Sequence, residues 1–373
     1  MIHEEAEEPL PGAAPMQRSV DSAGAAVLQL EPPTLIRATL ARPTVLVLGG
    51  AGFVGRALVK RLRHDGLAVR ALVRSTTSRA ELLAREGVEL VQGDFADPRC
   101  VEAALEGIQH VYHLARGSGS SWAECLLLDV EPTRRLAAAC LARGVWLYYT
   151  SSIAIYAGGR SGDVVTESTP PSPQAMRISL YARTKVASEQ LLARMHIERG
   201  LNVVVFRPGI VIGAGGTALH PGLGTWPSAS LCHPWGDGRN GLPFVLVEDC
   251  ADAMARALHT AGIAGQTFNL VGEPCVTGNG YLDALERVVG IPIERVRRPT
   301  WWLFARSAAK WGLQVLARNP ERRMPSYRYI DGLSCRAHYK PDLARQRLGW
   351  APTADAATLI ERGIVAPVPG SSA

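Results

Sequence analysis

The fold of this 373-residue chain is decided by the stretch Val45-Leu46-Val47-Leu48-Gly49-Gly50-Ala51-Gly52-Phe53-Val54-Gly55. Its first four residues are typical of a buried strand, and the helical pattern of residues 56–62 follows directly. Glycines at 49, 52 and 55 let the chain turn tightly, bring backbone N–H groups close to a pyrophosphate and pack the helix against the sheet. The stretch therefore predicts a dinucleotide site, with a glycine-rich turn in an ordinary α/β protein as the alternative.

Apolar strands alternate with helical patterns from residue 43 to about 208, for example over 133–141 and 188–195. This alternation predicts an α/β fold with a doubly wound parallel sheet. Beyond 209 the composition shifts to Gly, Pro and Trp, and strand-like runs recur only at 244–247 and 267–271. We therefore expect a Rossmann domain followed by a smaller C-terminal lobe.

The N-terminal residues 1–42 are rich in Pro, Ala and Glu and show little periodicity. They predict an extension that is flexible or wraps the domain, outside the dinucleotide fold. Residues 366–373 are read as a tail. The first eight residues, 1–8, are acidic and lack the basic start and apolar run of a secretory signal, so we expect a cytoplasmic protein.

A second group of residues carries acid–base chemistry. Tyr181 and Lys185 lie four residues apart in a helical pattern and share one helix face. A neighbouring ammonium favours the phenolate and is expected to lower the pKa of Tyr181 from its ordinary value near 10. Ser152 lies in the stretch 148–156, which predicts a buried strand ending in hydroxyls, and a serine there can polarise a carbonyl. The order and spacing predict a catalytic set of Ser152, Tyr181 and Lys185, although each alone is more often structural.

These motifs resemble the extended short-chain dehydrogenase/reductase family, also called the NAD-dependent epimerase/dehydratase family, over residues 43 to 365. Further signatures of the resemblance are Gly93-Asp94-Phe95-Ala96-Asp97, Val111-Tyr112-His113-Leu114-Ala115, Arg207-Pro208-Gly209, Pro243-Phe244-Val245-Leu246-Val247-Glu248-Asp249, Phe268-Asn269-Leu270 and Leu348-Gly349-Trp350-Ala351-Pro352.

The resemblance implies a domain organisation and a cofactor site. Residues 43–208 with about 244–272 would form the dinucleotide-binding domain, 209–243 and 273–365 the substrate lobe, and two chains a homodimer. The expected cofactor-binding residues are Gly49, Ala51, Gly52, Phe53, Val54, Gly55, Arg74, Asp94, Phe95, Leu114, Ala115, Arg116, Tyr181, Lys185, Pro208, Gly209 and Ile210.

Three positions depart from the family pattern. Leu48 stands where the family usually has Thr, which removes a side-chain hydrogen bond that braces the turn. Arg116 replaces a small residue and is expected to place a cation near the cofactor or substrate. Asp129 stands where many relatives carry Asn, and the sequence assigns it no role.

Cofactor preference is indicated at the end of the predicted second strand. An NAD site would place a carboxylate there, but Val73 occupies the position and Arg74 follows, with Ser75 and Arg79 close by. A guanidinium suits bidentate contact with a 2′-phosphate, so NADP(H) is favoured. The alternative is an NAD(H) enzyme in which Arg74 only stacks on adenine.

The reaction class is indicated by the two residues directly after Ser152. Related sugar dehydratases carry two carboxylates there, whereas this chain has Ile153 and Ala154, which argues against dehydration. The segments 207–213 and 236–240 resemble the 3β-hydroxysteroid dehydrogenase and ketoreductase-like branch. We expect an NADP(H)-dependent oxidoreductase that acts on a hydroxyl or keto group of a small molecule. A nucleotide-sugar epimerase and a non-catalytic NADP-binding regulator are the alternatives.

Candidate substrate residues are Ile153, Ala154, His220, Trp226 and Arg239, the last three among clustered indoles suited to a ring or acyl chain. In 301–317, polar residues fall near one helix face and leave a broad apolar face. That pattern predicts an amphipathic helix docked on the core, with a lid or peripheral contact with a membrane surface as the alternative.

Composition limits the other function classes. A hydrophobic content of 47% and a charged content of 20% are those of a globular protein, and no uninterrupted apolar run is long enough to span a membrane. The net charge of +6 comes from dispersed arginines without a nucleic-acid motif, so no nucleic-acid partner is expected. The seven cysteines form no CxxC pair and the histidines no ligand spacing, so no metal site is predicted.

Overall fold

The apolar run ahead of the glycine turn forms a fully buried strand at the centre of a sheet. The structure, a computed structural model, describes residues 34–37, 44–75, 78–157, 162–274, 276–318, 323–334 and 337–364. These residues all belong to one compact unit. Its strands, in chain order, are β1 (Thr34–Arg37), β2 (Val45–Leu48), β3 (Val69–Val73), β4 (Glu89–Gln92), β5 (His110–His113), β6 (Trp146–Thr150), β7 (Val164–Val165), β8 (Val203–Pro208), β9 (Ile210–Ile212), β10 (Gly224–Ser228), β11 (Leu231–Pro234), β12 (Gly241–Leu242), β13 (Phe244–Leu246), β14 (Thr267–Leu270), β15 (Val276–Thr277), β16 (Glu294–Arg295) and β17 (His338–Tyr339).

Helices connect most of these strands. They are α1 (Phe53–His64), α2 (Ser78–Arg85), α3 (Pro98–Ala104), α4 (Trp122–Cys125), α5 (Glu131–Arg143), α6 (Pro173–Ile178), α7 (Leu180–Arg199), α8 (Val247–Leu258), α9 (Gly278–Val289), α10 (Thr300–Leu316), α11 (Tyr327–Gly332), α12 (Asp342–Leu348) and α13 (Ala356–Gly363). A π-helical turn at Leu126–Val130 joins α4 to α5, and a 3₁₀ turn at Ile153–Tyr156 follows β6.

The central sheet has the order β1-β4-β3-β2-β5-β6-β8-β14, and the seven strands from β4 to β14 are parallel. The chain leaves β2 toward β3 and β4 on one side, then returns to β5 and continues on the other. A ligand crevice forms where the strand order reverses in this way, at the carboxyl ends of β2 and β5. The expected doubly wound parallel fold is confirmed.

The first strand was not expected. The sequence assigned no strand to residues 1–42, yet Thr34–Arg37 pairs antiparallel with β4, with Thr34 opposite Gln92. Two of its four residues are β-branched, which favours a strand, and the pairing covers an otherwise open sheet edge. Residues 1–33 and 38–43 lie outside the described part of the chain.

Apolar side chains fill both faces of the sheet. Leu58 and Leu62 of α1 pack with Met254 of α8 on one face, and Leu136 of α5 packs with Leu192 of α7 on the other. Trp350 also belongs to the first of these clusters although the sequence placed it in the C-terminal lobe, because α12 packs on β14 and α8. The division into domains stays a prediction.

A third apolar cluster lies apart from the two that cover the sheet. Phe244 stacks on Tyr281 with their ring centroids 5.0 Å apart, and Leu223, Leu285 and Leu359 pack into the same cluster. Helix α10 takes no part in it, since none of its residues is buried. No helix in the described ranges combines the length and the apolar character needed to cross a bilayer.

Candidate active site

The glycine turn has the geometry of a phosphate cradle. Gly49 adopts φ +83°, and a Cβ there would lie 2.9 Å from the backbone nitrogen of Ala115. A Cβ on Gly55 would lie 2.1 Å from the carbonyl oxygen of Gly49, so α1 packs directly on the turn. Gly52 has only this carbonyl near its virtual Cβ. The first and third glycines are thus required by packing, and the second leaves the backbone open to a ligand.

The start of α1 suits an anion. Gly52 precedes the helix without a side-chain cap, and the first turn, which begins at Phe53 and Val54, contains no acidic residue. Its free N–H groups and the positive end of the helix dipole therefore face the turn. These features fit the pyrophosphate of a dinucleotide cofactor.

The neighbouring strand ends complete this side of the crevice. Leu114 donates its backbone N–H to the Leu48 carbonyl at 3.0 Å, which holds the β5 end against the turn. At the end of β3, Val73 is buried and Arg74 is exposed, and no carboxylate lies at either position. The side chain of Arg79 lies outside the described residues.

The expected adenine segment is held internally. The Asp94 carboxylate accepts a hydrogen bond from the Ala96 N–H at 2.9 Å, and the buried Phe95 ring lies 5.3 Å from that of His113. Both side chains therefore brace the turn after β4, and a direct role toward a cofactor stays a prediction.

The three predicted catalytic residues come together at the carboxyl end of β6. Tyr181 lies in the first turn of α7, which Ser179 caps by accepting from the Ala182 N–H at 3.1 Å. Ser152 caps the 3₁₀ turn by accepting from the Ala154 N–H at 3.1 Å, and its hydroxyl lies close enough to Tyr181 to act to lower the pKa of that phenol. The substrate side of this pair is open, because Tyr181 is 36% exposed.

Lys185 is buried beneath this pair. Its Nζ donates to the Thr150 carbonyl at 2.9 Å and to the Tyr149 hydroxyl at 3.3 Å. Burial lowers the pKa of Lys185 from 10.5 to about 8, while the negative charge of Asp129 acts in the opposite direction. A lysine held this way can change protonation close to neutral pH.

The sequence predicts that Lys185 lowers the pKa of Tyr181, but other groups determine the direction of that pKa shift. Desolvation raises the pKa of Tyr181 above its ordinary value, and the groups that act to lower it are Ser152 and Arg116. The Lys185 Nζ lies 6.0 Å from the Tyr181 ring centroid, whereas the Arg116 guanidinium carbon lies 5.2 Å from it. The expectation of a cation near the reacting groups at Arg116 thus agrees with its position.

Asp129 is a site residue to which the sequence assigned no role. It lies buried in the π-helical turn, and one of its carboxylate oxygens, Oδ1, has no hydrogen-bond partner among the described residues. Burial raises its pKa, and the charges of Lys185 and Arg116 act to lower it. The one signal in the sequence was the substitution of Asp for Asn, and π-helical turns are frequent at functional sites.

A buried ion pair positions the loop after β8. Arg207 donates through Nε to Glu189 at 3.0 Å, and it also bonds the Tyr156 hydroxyl. Beyond it, Gly209 donates to the Leu270 carbonyl at 2.8 Å, and a Cβ on Gly209 would lie 2.1 Å from the Pro243 carbonyl oxygen. The segment from Pro208 to Ile210 is therefore fixed against β13 and β14, and its contact with a cofactor stays a prediction.

The expected substrate residues divide into two groups. Ala154 is half-buried beside Ser152, but Ile153 is buried and packs with Val186 and Val271, so its side chain supports the turn.

In the lobe, the His220 Nδ1 accepts from the Gly222 N–H at 2.9 Å, and the Trp226 indole donates to the His220 carbonyl at 3.1 Å. Arg239 is exposed. The contacts described for His220 and Trp226 are within the lobe, and their role toward a substrate stays a prediction.

Comparisons with known proteins agree with this architecture. The model of the NAD dependent epimerase/dehydratase family matches residues 45–271. The 2-alkyl-3-oxoalkanoate reductase of Stenotrophomonas maltophilia is 27% identical over 321 residues, which cover 83% of this chain and 94% of that protein. The crystal structure of gox2253 superposes with a TM-score of 0.69 at 26% identity over 87% of this chain and 97% of that one. The UDP-glucuronic acid 4-epimerase of Bacillus cereus, solved with UDP-glucuronic acid and NAD, gives a TM-score of 0.64 at 20% identity over 86% and 97%, a likeness of fold alone.

Proposed function

The chain belongs to the NAD-dependent epimerase/dehydratase family, and on that premise we propose that it is an NADP(H)-dependent dehydrogenase or reductase that acts on a hydroxyl or keto group of a small organic molecule. The observation that carries the proposal is that Ser152, Tyr181 and the buried Lys185 lie together at the sheet edge that also holds the glycine turn. The family resemblance and an enzymatic role expected from the sequence are confirmed.

Each residue of the site would have its own part in the reaction. The cofactor, when bound at the glycine turn, supplies or accepts the hydride. Tyr181 donates a proton to the substrate oxygen during reduction, and its raised pKa keeps it protonated and ready to donate. Ser152, fixed by the Ala154 N–H, orients the same oxygen. Lys185 and Arg116 stabilise the negative charge that remains on Tyr181.

The preference for NADP(H) is supported by the end of β3. Val73 is buried there and Arg74 is exposed, so a guanidinium and no carboxylate would meet the adenosine ribose. The negatively charged 2′-phosphate of NADP(H) is matched by a guanidinium at this position, whereas the ribose diol of NAD(H) is matched by a carboxylate. NAD(H) is the alternative, since NAD is bound in the structurally similar epimerase.

Reduction is favoured over epimerisation by the segments 207–213 and 236–240, which resemble the ketoreductase-like branch, and by the similarity to a 2-alkyl-3-oxoalkanoate reductase. The test is an assay of the purified protein with NADPH and a panel of 3-oxo esters, other ketones and nucleotide sugars. We expect a net fall in absorbance at 340 nm with a ketone. Oxidised dinucleotide retained through purification, with interconversion of a nucleotide sugar and no net absorbance change, would establish the epimerase instead.

Two further features stay predictions. The resemblance implies a homodimer, which sedimentation equilibrium of the purified chain would test. A cytoplasmic location is expected from the N-terminal sequence, and fractionation of the source cells would test it.

A further inference from the structure

Helix α10 presents several of its apolar side chains to solvent. None of its residues is buried, and the exposed fractions of Trp301, Leu313 and Leu316 are 62%, 68% and 81%. By contrast, Ser307 and Gln314 are partly covered, and the Ser307 hydroxyl donates to the Leu303 carbonyl within the helix. The sequence predicted an amphipathic helix docked on the core, with a lid or peripheral contact with a membrane surface as the alternative; the Phe304 ring packs 5.8 Å from that of Tyr327 in α11, and the choice between the two stays a prediction.

The exposed residues form one continuous stripe. They recur every three to four positions, which places them on one side of an α-helix about four turns long. We call the apolar residues among them the α10 stripe: Trp301, Ala305, Ala309, Leu313 and Leu316.

Basic residues border the stripe, and among the described residues no ion pair involves Arg306 or Lys310. From residue 296 to 318 the chain carries five basic residues and no Asp or Glu. Arg306 and Lys310 lie exposed along one edge of the stripe. The guanidinium carbons of Arg298 and Arg306 lie 4.9 and 5.9 Å from the Trp302 ring centroid, so this second indole sits between cations.

We propose that the α10 stripe docks on an anionic membrane surface, with Trp301 and the leucines in the acyl-chain boundary and the cations among the headgroups. An outward apolar face, flanking cations and interfacial tryptophans are the features of a helix that lies in the plane of a bilayer. The short span and the cations on α10 exclude a crossing, in agreement with its failure to qualify as a membrane span.

A second copy of the chain fits this face less well. A two-fold contact through α10 would bring Arg306 and Lys310 of one helix toward the same residues of the other, and α10 holds no carboxylate to pair them. Anionic headgroups supply the missing charge. This inference does not depend on the proposed reaction, because vesicle binding is measured without turnover.

The test is co-sedimentation of the full chain with sucrose-loaded vesicles of phosphatidylcholine containing about one third phosphatidylserine, against pure phosphatidylcholine. We expect binding to the anionic vesicles that weakens as salt is raised. Each cation near such a surface contributes about fivefold in partitioning, so R306Q with K310Q should lower binding roughly 25-fold. L313E with L316E should lower it at least tenfold through lost apolar burial.

The matched control is I197E on α7, where Ile197 is 79% exposed but lies far along the chain from the cation cluster. It should bind vesicles like the wild type, and all variants should keep the wild-type circular dichroism spectrum. The proposal is overturned by wild-type protein that stays in the supernatant, or by folded L313E/L316E protein that still sediments. A stripe variant that changes the oligomeric state in solution would assign the face to a second copy.

Discussion

The carboxyl edge of the sheet and helix α10 differ in how closely their residues are packed. At the sheet edge the supporting residues are tightly packed, since a methyl group on Gly55 would overlap the Gly49 carbonyl and Lys185 is buried with its Nζ bonded. On α10 no residue is buried, and Gly312 has nothing within 4 Å of its virtual Cβ. Close packing fixes the reacting groups in place. The apolar surface of α10 stays exposed, where it can contact a membrane.

The largest expected effect lies at the packed edge. Tyr181→Phe removes the proton donor and should lower turnover by about 10² to 10⁴, the usual contribution of a positioned acid–base group. NADPH affinity should stay close to that of the wild type, because the hydroxyl faces Ser152 and the substrate side. Single-turnover oxidation of NADPH and fluorescence titration measure the two quantities. The control is Tyr327→Phe, at an exposed tyrosine on α11. Near wild-type turnover of Tyr181→Phe would show that Tyr181 is not the proton donor.

The burial of Lys185 predicts a pH-dependent stability. Its pKa falls from 10.5 to about 8 on folding, so between these values the unfolded chain binds more protons and stability rises with pH. The cost of the buried charge is therefore full below pH 8 and lost above 10.5. Lys185→Met carries no such cost, so the free energy of unfolding of the wild type relative to this variant should rise by roughly 3 kcal/mol from pH 7 to 10.5.

Urea unfolding of the cofactor-free proteins at several pH values measures this difference. Groups that do not interact with Lys185 titrate alike in both proteins and cancel. A difference that is the same at pH 7 and 10.5 would mean that Lys185 keeps its ordinary pKa when buried.

Two glycine-to-alanine substitutions compare the regions directly. Gly55→Ala overpacks the turn and should lower the free energy of unfolding by about 1 to 3 kcal/mol and weaken cofactor binding. Gly312→Ala adds a methyl group in open space at a helical position and should raise the free energy of unfolding by about 0.4 to 1 kcal/mol. Urea unfolding distinguishes them by sign, and destabilisation by Gly312→Ala would show that α10 is covered in solution.

Local signals in the sequence predicted the packed region well. The strand, glycine turn and helix around Gly52 are specified by neighbouring residues, and the four-residue spacing places Tyr181 and Lys185 on one helix face. The parallel sheet follows from strands that alternate with helices. Short-range patterns suffice there because each element carries its own period and its own turn.

Tertiary properties were not predictable in the same way. The periodicity of α10 reveals an apolar face but not whether the core or the solvent meets it. The pKa of Tyr181 depends on desolvation and on Arg116, which approaches from another loop. Asp129 is positioned by the π-helical turn, close to Lys185 and Arg116. The replacement of Asn by Asp at one position in the sequence does not predict that surrounding.

A smaller effect is expected from Arg74, the exposed residue at the end of β3 that we propose selects NADP(H). Arg74→Ala deletes a charge-assisted contact, so NADPH affinity should fall about tenfold or more, with little change for NADH. Titration with both cofactors measures the two constants. Equal losses would show that Arg74 contacts the adenine or the shared ribose and does not read the 2′-phosphate.

The smallest expected effect returns to α10. Leu316→Ala removes a largely exposed side chain and should change the free energy of unfolding by no more than about 0.5 kcal/mol, whereas Leu48→Ala, in the buried β2, should cost about 2 to 5 kcal/mol. Urea unfolding without lipid measures both. A cost above about 2 kcal/mol for Leu316→Ala would mean that the stripe is buried in solution by another part of the chain or by a second copy. A near-zero cost leaves the stripe unburied in the soluble protein, so its apolar surface stays open to a membrane.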